Sequence, residues 1–404
     1  MTQRIVILGN GIAGVAAGRE FQRRLRAKDS VSVSVLGASD QYVFKPLLPD
    51  ALNYHAATKP MATIFPSNGG KAPVQFKKVI VQGISLDPAK KEVQTSEGPV
   101  PFDSLVIALG SKSAYYNIKR ADSHTIPLEE PVHLHRMQAM ILGQLAAAAQ
   151  KNTPAEQVPL LRFVIVGAGA TGVELAFELR QFLDKAIAKR YPQKIKIQPE
   201  IKIIESTNDI LPGFSAQEKA YVKQLLKRAG IQILYQSSVT EVTEAHGVTI
   251  IDKTHPDSKP TEVKPGGEPI WVAGVKANPL VASLSVEKFP HNQRVKVNPF
   301  LELPNRPDIY VIGDAAAAVD PNTQQVLPAM GQVAEQQGAY VARDMLNKWR
   351  HQSRNPFSFQ NKGVMLSVGP QNGMVRLLDG WLLKGYIGSL FRKWLYRYKM
   401  NVGG

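Results

Sequence analysis

The chain has 404 residues, 44% hydrophobic and 20% charged, enough for two or three domains with cores of their own. Its formal charge of +16 favours an anionic partner: nucleic acid, an anionic membrane or phosphorylated cofactors. The absence of cysteine excludes disulfides, thiolate metal sites and any thiol redox relay. No secretion signal is expected ahead of a first strand that begins by Arg4, and no run approaches the roughly 20 apolar residues of a membrane-spanning helix.

Residues 5–8 are a continuous apolar run, the pattern of a central parallel strand covered on both faces. Gly9, Gly11 and Gly14 follow as Gly-x-Gly-x-x-Gly. The first allows the tight turn, the second lets backbone approach a pyrophosphate, and the third lets a helix over about 12–26 pack on the strand. That helix offers unpaired N–H groups and a partial positive charge to phosphate. Residues 31–36 alternate as a second strand. The acid that normally follows such a strand to hold a ribose is replaced by Gly37; another group takes that role, or Asp40 reaches back to it.

Residues 41–49 carry two prolines and no clear period, and read as an ordered loop. Lys45 within it is a fixed cation suited to stabilising a reduced, anionic flavin. Strands are expected at 75–81 and 92–95, then an apolar strand ending in Gly110-Ser111, where backbone comes close to a ligand. A helix is expected over 128–150, and the polar, proline-containing link 151–159 marks the change of domain.

The N-terminal device then recurs. Residues 162–166 are an apolar strand, Gly167, Gly169 and Gly172 repeat the turn, and Glu174 falls in the first turn of the next helix. One such turn is weak; two, each between a β-branched run and a helical pattern, predict two dinucleotide sites. After the strand 201–204 the acid is in place: Glu205 can accept from both ribose hydroxyls of a nicotinamide dinucleotide. Ser206, Thr207 and Asn208 follow without an arginine, which favours NADH over NADPH. The spacing from Gly172 exceeds the usual ~20 residues, so the basic segment 184–199 should lengthen the helix and its loop.

A helix over 216–229 ends at Gly230, strands follow at 231–235 and 248–252, and residues 269–279 close the domain with a strand and a turn that adds Gly274 to the cofactor-binding glycines. Residues 308–314 give an apolar strand ending in Gly313-Asp314, an aspartate suited to a ribityl hydroxyl or a phosphate. A helix from about 328 to 349 aims its N-terminus, with Gln332, at a flavin pyrimidine, and Gln332 and Gln336 at i,i+4 share one side. In the tail, apolar residues recur at helical spacing over 381–399, with Lys384, Arg392, Lys393, Arg397 and Lys399 opposite and no acid. Such a helix lies in a membrane interface, each base adding ~1 kcal/mol near an anionic surface. Docking on its own domain or on a partner is the other reading.

Together these residues resemble the type II NADH dehydrogenases, non-pumping single-subunit NADH:quinone oxidoreductases of the two-dinucleotide-binding flavoprotein superfamily. The resemblance runs through Gly9, Gly11 and Gly14, residues 44–48, Phe102-Asp103 to Gly110-Ser111, residues 166–174, Ile210-Leu211-Pro212, residues 271–276 and Gly313-Asp314. Residues 332–338 are similar to the family's Ala-Gln-x-Ala-x-Gln-Gln motif, with Gly331 in place of its alanine. The resemblance implies an α/β fold of two Rossmann-like domains, FAD-binding over 1–157 and 281–340 and NAD(H)-binding over 158–280, with a C-terminal region 341–404 that carries the interface helix. It implies FAD and NADH as cofactors, a membrane quinone as acceptor, and no metal. It further implies a peripheral position on an anionic membrane, on the cytoplasmic face of the inner membrane, and leaves a homodimer open. Gln332 and Gln336 would line the quinone pocket, and Glu174 would serve proton transfer near nicotinamide and quinone. Residues 365–370 are also similar to apoptosis-inducing-factor-like quinone reductases. Sulfide:quinone and disulfide reductases need redox cysteines and are excluded. A ferredoxin reductase leaves the tail without a use, no nucleic-acid motif accounts for the charge, and a redox sensor that binds NADH and FAD without turnover stays open.

Overall fold

The computed structural model describes residues 2–26, 28–53, 57–66, 73–255, 257–369, 371–377 and 380–402. Two parallel sheets carry the two glycine-rich turns. The first has six strands in the order Glu302–Leu303, Arg306–Val311, Ser104–Ile107, Gln3–Leu8, Val31–Gly37 and Val74–Lys78. Only Glu302–Leu303 runs antiparallel to its neighbour. Its central strands are apolar without a break because both faces are covered. On one face lies the helix Ile12–Arg24, and across it the helix Gly331–Trp349. Gly338 allows that crossing: a Cβ there would stand 2.2 Å from the Ala13 carbonyl oxygen. An antiparallel sheet of Val81–Ile84, Glu92–Thr95 and Gly98–Pro101 packs on the other face.

The second sheet has the order Ile126–Pro127, Ile270–Trp271, Arg162–Val166, Glu200–Ile204 and Ile231–Leu234, all parallel. Helices Pro131–Ala148, Ala170–Arg190 and Ala216–Arg228 share one face. The strands Ser237–Val242, Val248–Asp252 and Thr261–Val263 cover the other. The 21 residues of Ala170–Arg190 take up the long spacing between Gly172 and Glu205.

The expected boundaries move. Ile126–Pro127 and Pro131–Ala148 belong to the second sheet, so the change of domain lies not at 151–159 but where Ser111–Ser113 and Val275–Ala277 cross as an antiparallel pair. The reason is packing: Ile126, Leu134, Met137 and Ile141 bury against Phe163 and Ile165. The boundary at 341 likewise falls inside Gly331–Trp349, which packs on the first sheet to its end.

The C-terminal region opens with an antiparallel sheet of Val364–Ser367, Gly373–Arg376 and Leu382–Lys384, followed by the terminal helix Gly385–Val402. Residues 382–384 are thus a strand, not the expected helix start; Gly380 and Gly385, at φ +85° and +67°, bracket it with turns. Gly373 and Gly388 let strand and helix touch, since a Cβ on Gly388 would lie 2.4 Å from the Gly373 carbonyl oxygen. Leu366, Val368 and Met374 join a core with Leu48 and Leu52 of the first unit and Leu175 and Leu179 of the second. Among the described residues no helix is long and apolar enough to cross a membrane.

Candidate functional site

The two turns are one construction used twice. Gly9 has φ +105° and Gly167 +109°, and each donates its N–H to the end of the next strand, at Leu36 and Ile204. A Cβ on Gly14 would stand 1.9 Å from the Gly9 oxygen, and one on Gly172 2.0 Å from the Gly167 oxygen. A Cβ on Gly11 or Gly169 would meet nothing. Both helices are capped by these open glycines, and no side chain accepts from their first amides. Such a construction suits a pyrophosphate, whose oxygens would satisfy the free N–H groups at the positive end of each helix.

The ribose positions differ. Asn10 fills the space beside Gly37: a Cβ there would come within 2.5 Å of Asn10 Oδ1, and Asn10 Nδ2 donates to the Ser39 and Gln41 carbonyls at 2.8 and 3.1 Å. Asp40 does not reach back; it is exposed, 3.8 Å from Lys78. Glu205 stands at its expected strand end but also anchors the turn. Its carboxylate accepts from the Ala168 N–H at 2.9 Å, and from the Thr207 N–H and hydroxyl at 2.8 and 2.9 Å.

Around the first turn, Gly331 packs on Ile12 and Pro46, which brings exposed Lys45 and the start of the glutamine helix beside Gly11. Gly110 has φ +68° and open space over its α-carbon. Asp314 accepts from the Ser111 hydroxyl at 2.7 Å, and the Gly313 N–H is taken by buried Gln337 Oε1 at 2.6 Å. Gly274 is not open: a Cβ there would meet the Tyr116 hydroxyl at 2.2 Å, so its glycine serves the crossing between units.

Gln332 and Gln336 turn their amides onto one backbone segment. Gln332 accepts from Lys362 N at 3.1 Å and donates to the Gly363 carbonyl at 3.1 Å. Gln336 accepts from and donates to Gln360 backbone at 3.0 and 2.8 Å. Two side chains thus imitate the edge of a strand and hold residues 360–363, which lead into Val364–Ser367.

Glu174 is the fifth residue of its helix, past the first turn, and its carboxylate faces away from any capping role. It is buried and accepts from Ser367 N at 2.8 Å and from Arg392 Nη2 at 3.3 Å. Arg392 is itself buried, 2% exposed, and donates to both Asp50 oxygens at 2.8 and 2.6 Å. Glu178, one turn on, accepts from Asn53 Nδ2 at 2.7 Å and from the Ser367 hydroxyl at 3.5 Å. Burial pushes the carboxyls of Glu174 and Glu178 up to about 7; Asp50 adds to this, while Arg392 opposes it for both and Ser367 N for Glu174. Asp50, Asn53, Glu178 and Ser367 escaped the sequence reading; the four-residue step from Glu174 to Glu178, on one helix face, is the signal that could have found the last acid.

The tail departs in part from the expected basic face. Of its five bases, Arg392 points inward to Asp50 and Glu174, and Lys384 lies over the Tyr221 ring at 5.0 Å. The side chains of Arg397 and Lys399 lie outside the described residues. The outer face carries the expected apolar stripe, with Tyr386, Ile387, Leu390, Trp394 and Tyr398 exposed and Trp381 before them, and Lys393 is exposed as well. Among the described residues no cluster of His, Asp or Glu could hold a metal ion.

The chain is 28% identical to a probable mitochondrial NADH-ubiquinone oxidoreductase of Schizosaccharomyces pombe, over 85% of this chain but only 62% of that protein. It is 25% identical to a type II NADH:quinone oxidoreductase of Staphylococcus saprophyticus, over 97% of this chain and 93% of that one. Its fold matches the structure of NDH2 from Plasmodium falciparum in complex with NADH, with TM-score 0.85 and 19% identity, over 100% of this chain and 97% of that one. Residues 3–338, from the first strand into the glutamine helix, match the pyridine nucleotide-disulphide oxidoreductase model, and the chain belongs to that family, without its cysteines.

Proposed function

We propose that this protein is an FAD-dependent type II NADH:quinone oxidoreductase, which passes a hydride from NADH to FAD and then two electrons to a membrane quinone without pumping protons. The observation that carries it is the pair of like-built pyrophosphate cradles in a chain with no cysteine. A family that otherwise passes electrons to a disulfide must here pass them to an outside acceptor, and the names of the relatives supply a quinone.

In this reading the first cradle, Gly9, Gly11 and Gly14, holds FAD, with Lys45, Gly110, Gly313, Asp314 and Gln332 around it. Gly167, Gly169, Gly172 and Glu205 hold NADH. Held there, FAD would supply hydride acceptance and the onward delivery of two electrons. The chain supplies position and protons. Glu174, with a pKa of about 7, keeps its proton in about half of the molecules at neutral pH, where a carboxyl in water would have lost it. Ser367 N and Arg392 fix its carboxylate, and the glutamine clamp on residues 360–363 fixes Ser367 in turn. Gln332 and Gln336 act at the quinone pocket through that clamp. The exposed face of the terminal helix, with Tyr386 and Trp394 among its aromatics and Trp381 just before it, seats the protein on an anionic membrane as a peripheral enzyme.

The test is anaerobic mixing of the purified, flavin-loaded protein with NADH and then with a soluble quinone. The flavin absorbance should bleach in the first step and recover in the second. A colourless protein that takes up no flavin overturns the reading, and a sensor without turnover would stay bleached.

A further inference from the structure

Glu205 fixes which way a dinucleotide would run across the second cradle. It follows Glu200–Ile204, which lies on one side of Arg162–Val166, while Ile270–Trp271 lies on the other. With the adenosine ribose at Glu205 and the pyrophosphate over Gly169, the nicotinamide half leaves toward the end of Ile270–Trp271. That end is Val272, Ala273 and Gly274, so close to the turn that a Cβ on Gly167 would stand 2.8 Å from the Ala273 α-carbon. It continues into Val275–Ala277, which pairs with Ser111–Ser113, and the Ser111 hydroxyl reaches Asp314 in the first unit. The path from the second cradle to the first therefore passes Ala273 and Gly274.

Tyr116 stands on that path. Its hydroxyl donates to the Ala273 carbonyl at 2.9 Å and closes over Gly274. The residues before it are tied to the same strand end: the Ala114 N–H donates to the Gly274 carbonyl at 3.0 Å, and Trp271 Nε1 donates to the Ala114 carbonyl at 2.9 Å. Tyr115 turns inward, its ring 5.6 Å from that of Trp271, whereas Tyr116 is 60% exposed. Tyr116 and Asn117 are both left-handed, at φ +52° and +57°, a conformation that costs a bulky residue energy and that clusters at ligand sites. Burial of the ring does not offset that cost, because the ring lies at the surface. We infer that Tyr116 is the platform for the nicotinamide half of NADH, its ring taking the flat heterocycle and its hydroxyl tie to Ala273 holding the ring in place. This rests on the second cradle holding NADH. An aromatic face fixed at one point is the surface on which a second flat ring stacks in an offset or edge-on arrangement.

Calorimetric titration of the flavin-loaded protein tests this without turnover. The probes are NAD+, which cannot reduce the flavin, and ADP-ribose, which lacks the nicotinamide. The unaltered protein should bind NAD+ the more tightly. Tyr116→Leu should weaken NAD+ about three- to tenfold and leave ADP-ribose unchanged. Its melting temperature should hold, because the ring is exposed. Tyr116→Phe, which keeps the ring and loses only the tie to Ala273, should weaken NAD+ less than Tyr116→Leu does. Unchanged NAD+ affinity in Tyr116→Leu overturns the platform. So does an equal loss of both ligands with a lowered melting temperature, which would make Tyr116 a structural clip. Failure of the unaltered protein to bind ADP-ribose at all would strike the second cradle itself, and the platform with it.

Discussion

Glu174 and Glu178 are buried on one helix face, and each holds its proton to about pH 7 against an ordinary value of 4.5. Burial penalises their ionised forms, so the stabilisation is full below pH 4.5 and is lost as pH rises through 7. The urea midpoint should therefore fall between pH 5 and pH 8. Glu178→Gln removes one titrating group while keeping the Asn53 contact, and should add on the order of 2 kcal/mol at pH 8 and little at pH 5. Because the two acids interact, their steps belong to the pair. A midpoint that does not move with pH would show that neither carboxyl is kept dry. Glu174→Gln asks a different question. It should slow quinone reduction roughly 10²-fold or more and flatten the pH profile near 7, while NADH still bleaches the flavin at its normal rate. Equal loss in both half-reactions would remove Glu174 from proton delivery. Of these two residues the sequence pointed only to Glu174, and it could not show the surroundings that set its pKa, where burial and Asp50 raise it while Arg392 and Ser367 N lower it. No local pattern links positions so far apart.

At the scale of elements, the terminal helix shows what periodicity does and does not fix. Its spacing predicted a helix with an apolar stripe, and Gly385–Val402 is one. But the stripe is wide enough for two partners. Gly388, Ser389, Arg392 and Tyr396 turn to the protein, where Tyr396 packs edge-on to Phe44 at 5.7 Å, while Tyr386, Ile387, Leu390 and Trp394 turn out. An arginine that pairs with buried acids and one that faces lipid look alike in sequence. The exposed side gives a clean experiment. Ile387→Asn with Trp394→Asn should cut binding to anionic vesicles at least tenfold, each large side chain being worth ~1.5–3 kcal/mol on full burial. Turnover with a soluble quinone should be unchanged, since both side chains are exposed while Arg392 and Glu174 are buried. Undiminished vesicle binding would assign the membrane seat to another surface. The glutamine helix teaches the same lesson: i,i+4 spacing put both amides on one side, and only the fold revealed that residues 360–363 lie there.

Over the whole molecule, what was legible followed from local rules. The two turns, their strands and the helix ended by Gly230 depend on residues near in sequence. The unit boundaries do not, because a connecting strand such as Ile126–Pro127 takes its membership from the sheet it joins, at Ile270–Trp271, over 140 residues away. One buried cluster joins the 48–52 segment of the first unit, the helix face of the second unit and the C-terminal sheet, with Leu48, Leu52, Phe163, Leu179, Leu366 and Met374 among its members. Two independent domains would unfold separately; these share side chains that neither can keep dry alone. Flavin release from the first unit and loss of the near-ultraviolet signal of Trp271, buried in the second, should then follow one urea curve. Leu52→Ala, a change at the seam, should move both curves together by about 2–5 kcal/mol. Two separated transitions, or a shift confined to flavin release, would mean that the shared core is a contact surface between domains that fold alone. In that case Arg392 would be the tie that holds Glu174 to the first unit, and its loss would separate the curves further.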